Sequence, residues 1–399
     1  MRYNFNFEVC RFILLTVEVF QLLPLICVSF LSRFFSKKLD VGIGPDPLIN
    51  NVFHKKSLDH KGFLSETFCY KNYYVTDNFD VNFYSNKRLA LLSTLILRWP
   101  FLYCIFKYRA IIVYFNGGPL STKSYFLWRF EPFLYYLANI KTIVLAYGSD
   151  VQDLHKTSNY LFKHAVSTDY PNHRYRRNKI VSKVDLWTNR GSHVIAGCDW
   201  IEYMNHWDSL LLSHFCIEQK EFNDSFKKRD SNSTFKILHA PNHRTIKGTS
   251  YIEDAVNSLK LEGLDVELQI IEGVSNQEVI DLIKNSDLII DQLIGGWYAM
   301  FAIEAMSLGK PVICYLRNDF LEFYRTVGLL ELNECPIINA TPLNIKDVIR
   351  TQYNQRDLLV KFGLAGRAYV EKHHSLDYIG SHFTCVLKSL GIEPRIKVN

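Results

Sequence analysis

Short apolar runs, most of them closed by a glycine-bearing turn, recur along most of the chain. Leu39–Ile43, Ala110–Tyr114, Thr142–Ala146 and His193–Ala196 form one series; Phe235–His239, Val266–Ile271, Leu288–Ile290 and Val312–Cys314 form a second. Runs this short, with almost no polar alternation, predict parallel strands buried on both faces. Further strands are expected at Phe68–Val75 and Pro336–Ile338. Between the strands, helical spacing or good helix formers predict helices over 48–61, 128–138, 199–212, 249–261, 276–284, 299–308, 356–373 and 381–390. The turns are Gly42 to Pro47, Asn116-Gly117-Gly118-Pro119, Tyr147-Gly148-Ser149-Asp150, Glu272-Gly273-Val274-Ser275 and Gly295-Gly296. Strand, glycine turn and helix in repeating order indicate a doubly wound parallel sheet. Glu218–Ser233 (EQKEFNDSFKKRDSNS) loses the apolar periodicity and gains charge, which marks a linker between two such units. The expected organisation is an apolar segment at 1–38, a first Rossmann-like domain at 39–217, a linker at 218–233, a second Rossmann-like domain at 234–390 and a tail at 391–399.

Phe12–Leu31 is nearly continuous in apolar residues and about as long as a membrane-spanning helix. Glu18, Gln21 and Pro24 lie near its middle, where a charge is costly and a proline kinks the helix. Arg33, Lys37 and Lys38 follow and would stay on the cytoplasmic side. No small-x-small cleavage site follows the apolar core, so a cleaved signal peptide is not expected. A kinked interfacial anchor, a single span and a helix capping the first domain remain open, and the first two place the chain on the cytoplasmic face of a membrane. Leu89–Tyr108, broken at Trp99-Pro100, reads as two core helices or a second membrane-facing surface.

Composition narrows the class. The chain has 399 residues, 48% of them hydrophobic, which suffices for two cores and excludes a mainly disordered protein. Residues 1–233 hold 29 Lys plus Arg against 20 Asp plus Glu, while the rest hold 17 against 20. The basic half therefore suits an anionic neighbour, a membrane surface or a phosphorylated acceptor. Arg174, Arg176, Arg177 and Lys179 concentrate that charge, and guanidinium groups take phosphate oxygens in pairs; a solvated charged loop is the plain alternative. No nucleic-acid-binding module surrounds them, so no nucleic-acid partner is expected. The nine cysteines are scattered without a CxxC pair and read as reduced. His239 and His243 are spaced like metal ligands, but Pro241 denies them a common helix, and no metal site is expected.

The stretch Asp287–Tyr315 (DLIIDQLIGGWYAMFAIEAMSLGKPVICY) joins two buried strands through a glycine corner and a helix stopped by Gly309 and Pro311. Glu304-Ala305-Met306 followed by Gly309-Lys310-Pro311-Val312 resembles the signature of GT-B nucleotide-sugar glycosyltransferases, in particular the large retaining group with a paired-glutamate motif. The resemblance covers about residues 39–390 and is strongest in the second domain. It implies two Rossmann-like domains facing across a cleft, with Glu304 on the nucleotide ribose. The first glutamate of the pair would fall at the position of Gly296, so that contact with the donor sugar is not carried over. The turn Gly148-Ser149-Asp150 resembles one in the first domain of many such enzymes, with Tyr147 where a histidine often stands.

Arg244 and Lys247, on the loop after Phe235–His239 and next to a helix start, suit a diphosphate; Lys247-Gly248 matches the family's basic loop. The resemblance further implies that Gly273 and Val274 lie against the base, with Glu272 nearby, and Gly295, Gly296, Trp297 and Tyr298 would shape the sugar end. The expected activity is metal-independent transfer of a sugar from a UDP or GDP donor to a lipid-linked glycan or surface polysaccharide, without a further cofactor and with retained configuration. An inverting enzyme would need a carboxylate base, for which Asp46, Glu131 and Asp150 are candidates. A sugar-nucleotide epimerase on the same fold and a non-catalytic nucleotide-sugar-binding subunit are the alternatives.

Overall fold

A computed structural model of the chain describes residues 5–71, 78–83, 98–122, 124–219 and 233–396, with the side chains of 5–10 and 122 left aside. Most of the expected linker, the far end of Phe68–Val75, much of Leu89–Tyr108 and the last residues of the tail lie outside these. The first sheet contains β1 (Leu39–Ile43), β2 (Ser65–Cys69), β3 (Val81–Asn82), β4 (Tyr108–Tyr114), β5 (Lys141–Leu145), β6 (His193–Ala196) and β7 (Ser209–Leu210), in the order β3-β2-β1-β4-β5-β6-β7. The second contains β8 (Phe235–His239), β9 (Val266–Ile270), β10 (Leu288–Ile290), β11 (Val312–Cys314) and β12 (Ile338–Asn339), in the order β12-β11-β10-β8-β9. Every pairing in both is parallel, with Ile43 opposite Ile112, Tyr114 opposite Leu145 and Ile290 opposite His239.

This is what unbroken apolar runs require. Ile111, Ile112, Val113 and Tyr114 are wholly buried, as are Leu288, Ile289 and Ile290, because helices cover both faces of each sheet. Strand order reverses between β1 and β4 in the first sheet and between β8 and β10 in the second. The crevices that bind ligands in open α/β sheets open at such points, beyond the strands' carboxyl ends.

Two expected helices differ. In place of a helix over 199–212 the chain makes a 3-10 turn, Cys198–Tyr203, and then β7. Asp208 decides this: its carboxylate accepts the Val194 N–H at 2.7 Å and its own N–H donates to Val194 O at 2.9 Å, docking the segment on the sheet edge. The helix expected over 128–138 is a 3-10 turn, Leu127–Phe130, followed by a helix Glu131–Leu137. Pro132 sits in its first turn, where a missing N–H costs nothing.

The N-terminal helix α1 (Phe5–Ser32) runs through Pro24 and packs along the first lobe. Glu18, only 2% exposed, points into that lobe. There it meets Arg98 at 3.1 Å and accepts the N–H groups of Tyr125, Phe126 and Leu127. At the other end of the chain, the helix Leu376–Ser389 leaves the second lobe and packs on α2 (Asn50–His60) of the first. The approach is close: a Cβ on Gly380 would lie 2.6 Å from Ser57 O.

Candidate functional site

A cavity of about 900 Å³ lies between the carboxyl ends of the two sheets. The first lobe lines it with Tyr147, Gly148, Arg176, Asp199 and Trp200, the second with His243, Lys247, Gln292, Gly295 and Trp297 to Ala299. The lobes are tied together around it. Asn159 Nδ2 donates to Ile294 O at 2.7 Å, Arg317 Nη1 to Glu202 Oε2 at 2.8 Å, and Tyr324 Oη to Cys198 O at 2.7 Å. Tyr170 Oη meets His243 Nδ1 at 2.6 Å on the rim.

On the second-lobe side the loop after β8 makes one helical turn, Arg244–Lys247, ended by Gly248 at φ 77°. Lys247 Nζ is 2.8 Å from Asp291 Oδ1 at the end of β10, and Asp291 Oδ2 accepts the Ala299 N–H at 3.0 Å. Asp291 is 1% exposed, so the ammonium is anchored in the cavity wall. Arg244 does not join it. Its guanidinium is exposed and held outside the cavity lining by Glu272 at 2.9 Å and Glu253 at 2.7 Å, so the expected basic pair is reduced to Lys247.

Glu304 sits on the helix Met300–Ser307, as expected, but 5% exposed and behind Asn276, whose Nδ2 donates to it at 2.8 Å. Burial, with the nearby Asp291 charge, pushes its carboxyl up to about 7. It is not part of the cavity lining, nor are Glu272, Gly273 and Val274; Glu272 and Gly273 are exposed. Gly295, Trp297 and Tyr298 do line the cavity. The Tyr298 hydroxyl is spent on Tyr369 at 2.9 Å and His374 at 3.0 Å, whereas Trp297 Nε1 is buried with no partner. Gly296 has φ 101°, and a Cβ there would lie 2.8 Å from Arg317 Cδ. The space a glutamate would enter is therefore filled by the arginine that ties the lobes together. His239 spends both ring nitrogens on Ile290 O at 2.8 Å and Thr249 Oγ1 at 3.0 Å, which separates it from His243. Among the described residues no three His, Cys, Asp or Glu side chains converge as metal ligands.

On the first-lobe side none of the three candidate bases lines the main cavity. Asp150 is buried and accepts the N–H groups of Phe115, Tyr147 and Gly148 at 3.0–3.1 Å. It holds the Gly-Ser-Asp turn in shape, and burial raises its carboxyl to about 7. Glu131 accepts the Leu120 and Ser121 N–H groups at 2.8 Å each. Asp46 is enclosed beside Asn116 and Lys183, with its carboxyl raised to about 6 by burial. Two other carboxylates do line the cavity, Asp169 and Asp199, and that of Asp199 is also raised to about 7, first by burial and then by the Glu202 charge. The position of Asp199 in the loop at the carboxyl end of β6 was the available signal, obscured by the expected helix. His173 lines the cavity too, with Nε2 buried and unpartnered.

The basic cluster divides. Arg176 lines the cavity, and with Lys179 it also lines a second, smaller one. Arg177 is held by Asp153 at 3.0 Å, and Arg174 lies over the Tyr175 ring and donates to its hydroxyl.

No protein-family model and no curated protein sequence matches the chain. Solved structures do match. Sucrose-phosphate synthase from Thermosynechococcus elongatus superposes with a TM-score of 0.57 at 12% identity, over 89% of this chain and 99% of that one. HepE from Anabaena, solved in complex with UDP-glucose, gives 0.54 at 12% identity over 88% and 99%. An alpha-glucosyltransferase, solved in complex with UDP and a 13-mer DNA, gives 0.54 at 11% identity over 88% and 100%. Two parallel sheets with a cavity between their carboxyl ends, on a chain that superposes along most of its length on these structures, give this protein the GT-B fold.

Proposed function

We propose that the chain transfers a sugar from a nucleotide-diphosphate donor, UDP- or GDP-linked, to a lipid-linked glycan or surface polysaccharide. The observation that carries this reading is the cavity between the lobes. Its volume is that of a site for a drug-sized ligand, and its walls bring Lys247 of one lobe together with Arg176 and Asp199 of the other. A departing diphosphate gains negative charge as the glycosidic bond stretches, and a cation fixed in advance stabilises that charge without reorganising. Lys247, anchored by Asp291, is such a cation. The UDP and UDP-glucose bound by two of the similar structures support a uridine donor.

The reaction proposed is metal-independent and retains configuration, the leaving phosphate accepting the acceptor's proton. An inverting course would send that proton to Asp199, whose carboxyl near 7 suits a base at neutral pH. The anomeric configuration of the product, read by NMR, separates the two. Attachment to the cytoplasmic face of a membrane is supported by α1: Phe12, Val19, Phe20 and Leu23 are more than half exposed along it, while Glu18 faces the protein.

The test is incubation of the purified protein with a panel of nucleotide sugars and membrane lipid extract, with products read by mass. The expected outcome is a product one sugar heavier than an acceptor, lost in Lys247→Met. Altered nucleotide sugar without acceptor would favour an epimerase, and binding without any turnover a non-catalytic subunit.

A further inference from the structure

The smaller cavity, about 200 Å³, belongs to the first lobe alone. Asn116, Ser121, Asp150, Arg176, Lys179 and Lys183 line it. Lys183 is 5% exposed and donates to Asn116 O, which leaves two of its N–H bonds for another acceptor. Ser121 Oγ is buried without a partner. Among the described residues Arg176 and Lys179 make no ion pair. The carboxylate in the wall, Asp150, has both oxygens committed to backbone N–H groups. Three cations, one of them nearly inaccessible to water, thus surround the space; Lys183 also feels the buried carboxyls of Glu131, Asp46 and Asp150, each of them raised by burial. Burial is costly for a cation and lowers the Lys183 ammonium to about 8, with the Lys179 charge adding to it. Arg176 lines both this pocket and the large cavity, so a molecule anchored here reaches the proposed donor.

We infer that this pocket binds a phosphate group of the acceptor, held by Arg176, Lys179 and Lys183 and by the Ser121 hydroxyl. The inference rests on the glycosyltransferase reading and narrows it to phosphorylated acceptors. The phosphate could come from a lipid-linked phosphate or from a soluble sugar phosphate, which offer the same oxygens to the pocket.

Binding of inorganic phosphate and of UDP to the full chain, measured separately by titration calorimetry, tests this. Lys183→Met could fail to fold, so the variants are the exposed Lys179→Gln and Arg176→Gln. Wild type should bind phosphate, each variant about tenfold or more weakly, and Lys179→Gln should bind UDP as wild type does. Unchanged phosphate affinity in both variants, no phosphate binding by wild type, or displacement of phosphate by UDP would overturn the inference. Failure of wild type to bind UDP while phosphate binding persists would count against the donor reading instead. Displacement of phosphate by a soluble hexose phosphate or by a short-chain polyprenyl phosphate in micelles identifies the source; displacement by neither removes the acceptor role.

Discussion

Gly296 and Arg317 occupy one space: a Cβ on the glycine would fall 2.8 Å from Arg317 Cδ, and the backbone there has φ 101°. Two separate costs therefore meet any side chain at 296. The positive φ costs about 1–3 kcal/mol for a non-glycine residue, and the arginine must also move. Moving it strains the links to Glu202 and Ser158, each at 2.8 Å across the lobes. Gly296→Ala should lower the free energy of unfolding by at least the first amount, measured in urea. Placed in an Arg317→Ala background the same change should cost less, and the difference between the two measurements is the steric part.

Lys247 and Asp291 form a nearly buried ion pair, 12% and 1% exposed at 2.8 Å. Removing the lysine alone strands a buried carboxylate, at a cost of about 3–5 kcal/mol. Lys247→Met should therefore lose both stability and transfer. Lys247→Met with Asp291→Asn should regain most of the stability, because asparagine can still accept the Ala299 N–H. If Lys247 serves the diphosphate, the double variant stays slow by about 10²-fold or more in kcat, and recovery of turnover would remove Lys247 from the chemistry.

These pairs mark how far the sequence could be read. The central strands were legible because Ala110–Tyr114, β10 and β11 are contiguous apolar runs buried on both faces, a property of neighbouring residues, whereas the two-residue β3 and β7 carry no such run. Lys247 was legible for a similar reason, since Gly248 ends the turn that carries it. Arg244 was not: its partners Glu272 and Glu253 lie on other elements, and their neutralising effect has no local signature. Asp199 was obscured because the Asp208 carboxylate docks on Val194 and overrides local helix propensity. That Gly296 departs from the paired-glutamate pattern was visible in the residues, but the cause, Arg317 arriving from beyond β11, is a matter of packing.

Glu304 gives a pH signature with a definite sign. Its carboxyl sits near 7 in the folded protein, against an ordinary value of 4.5. Between those values the folded state keeps a proton that the unfolded state has released, so this group's contribution to stability falls as pH rises through that window and is constant above it. Glu304→Gln has no proton to lose. Its stability relative to wild type should grow by about 3 kcal/mol between pH 4.5 and 7. The comparison must be a difference between the two proteins, because buried His54, His214 and His239, all lowered by burial, tilt the wild-type curve the opposite way. A flat difference across the window would show Glu304 ionised in the folded state.

The two faces of α1 should separate in experiment. Glu18 compensates Arg98 and three backbone N–H groups inside the first lobe, so Glu18→Ala should destabilise the protein by about 3–5 kcal/mol. Phe20 and Leu23, at 76% and 68% exposed, touch little of that lobe. Phe20→Ser with Leu23→Ser should change stability by about 0.5 kcal/mol or less per site. On a membrane the same two residues account for about 1.5–3 kcal/mol each of apolar transfer. The double variant should therefore sediment with anionic vesicles at least about tenfold less than wild type. Equal sedimentation of the two proteins, with stability intact, would take membrane docking away from this face of the helix and leave α1 as a strut of the first lobe.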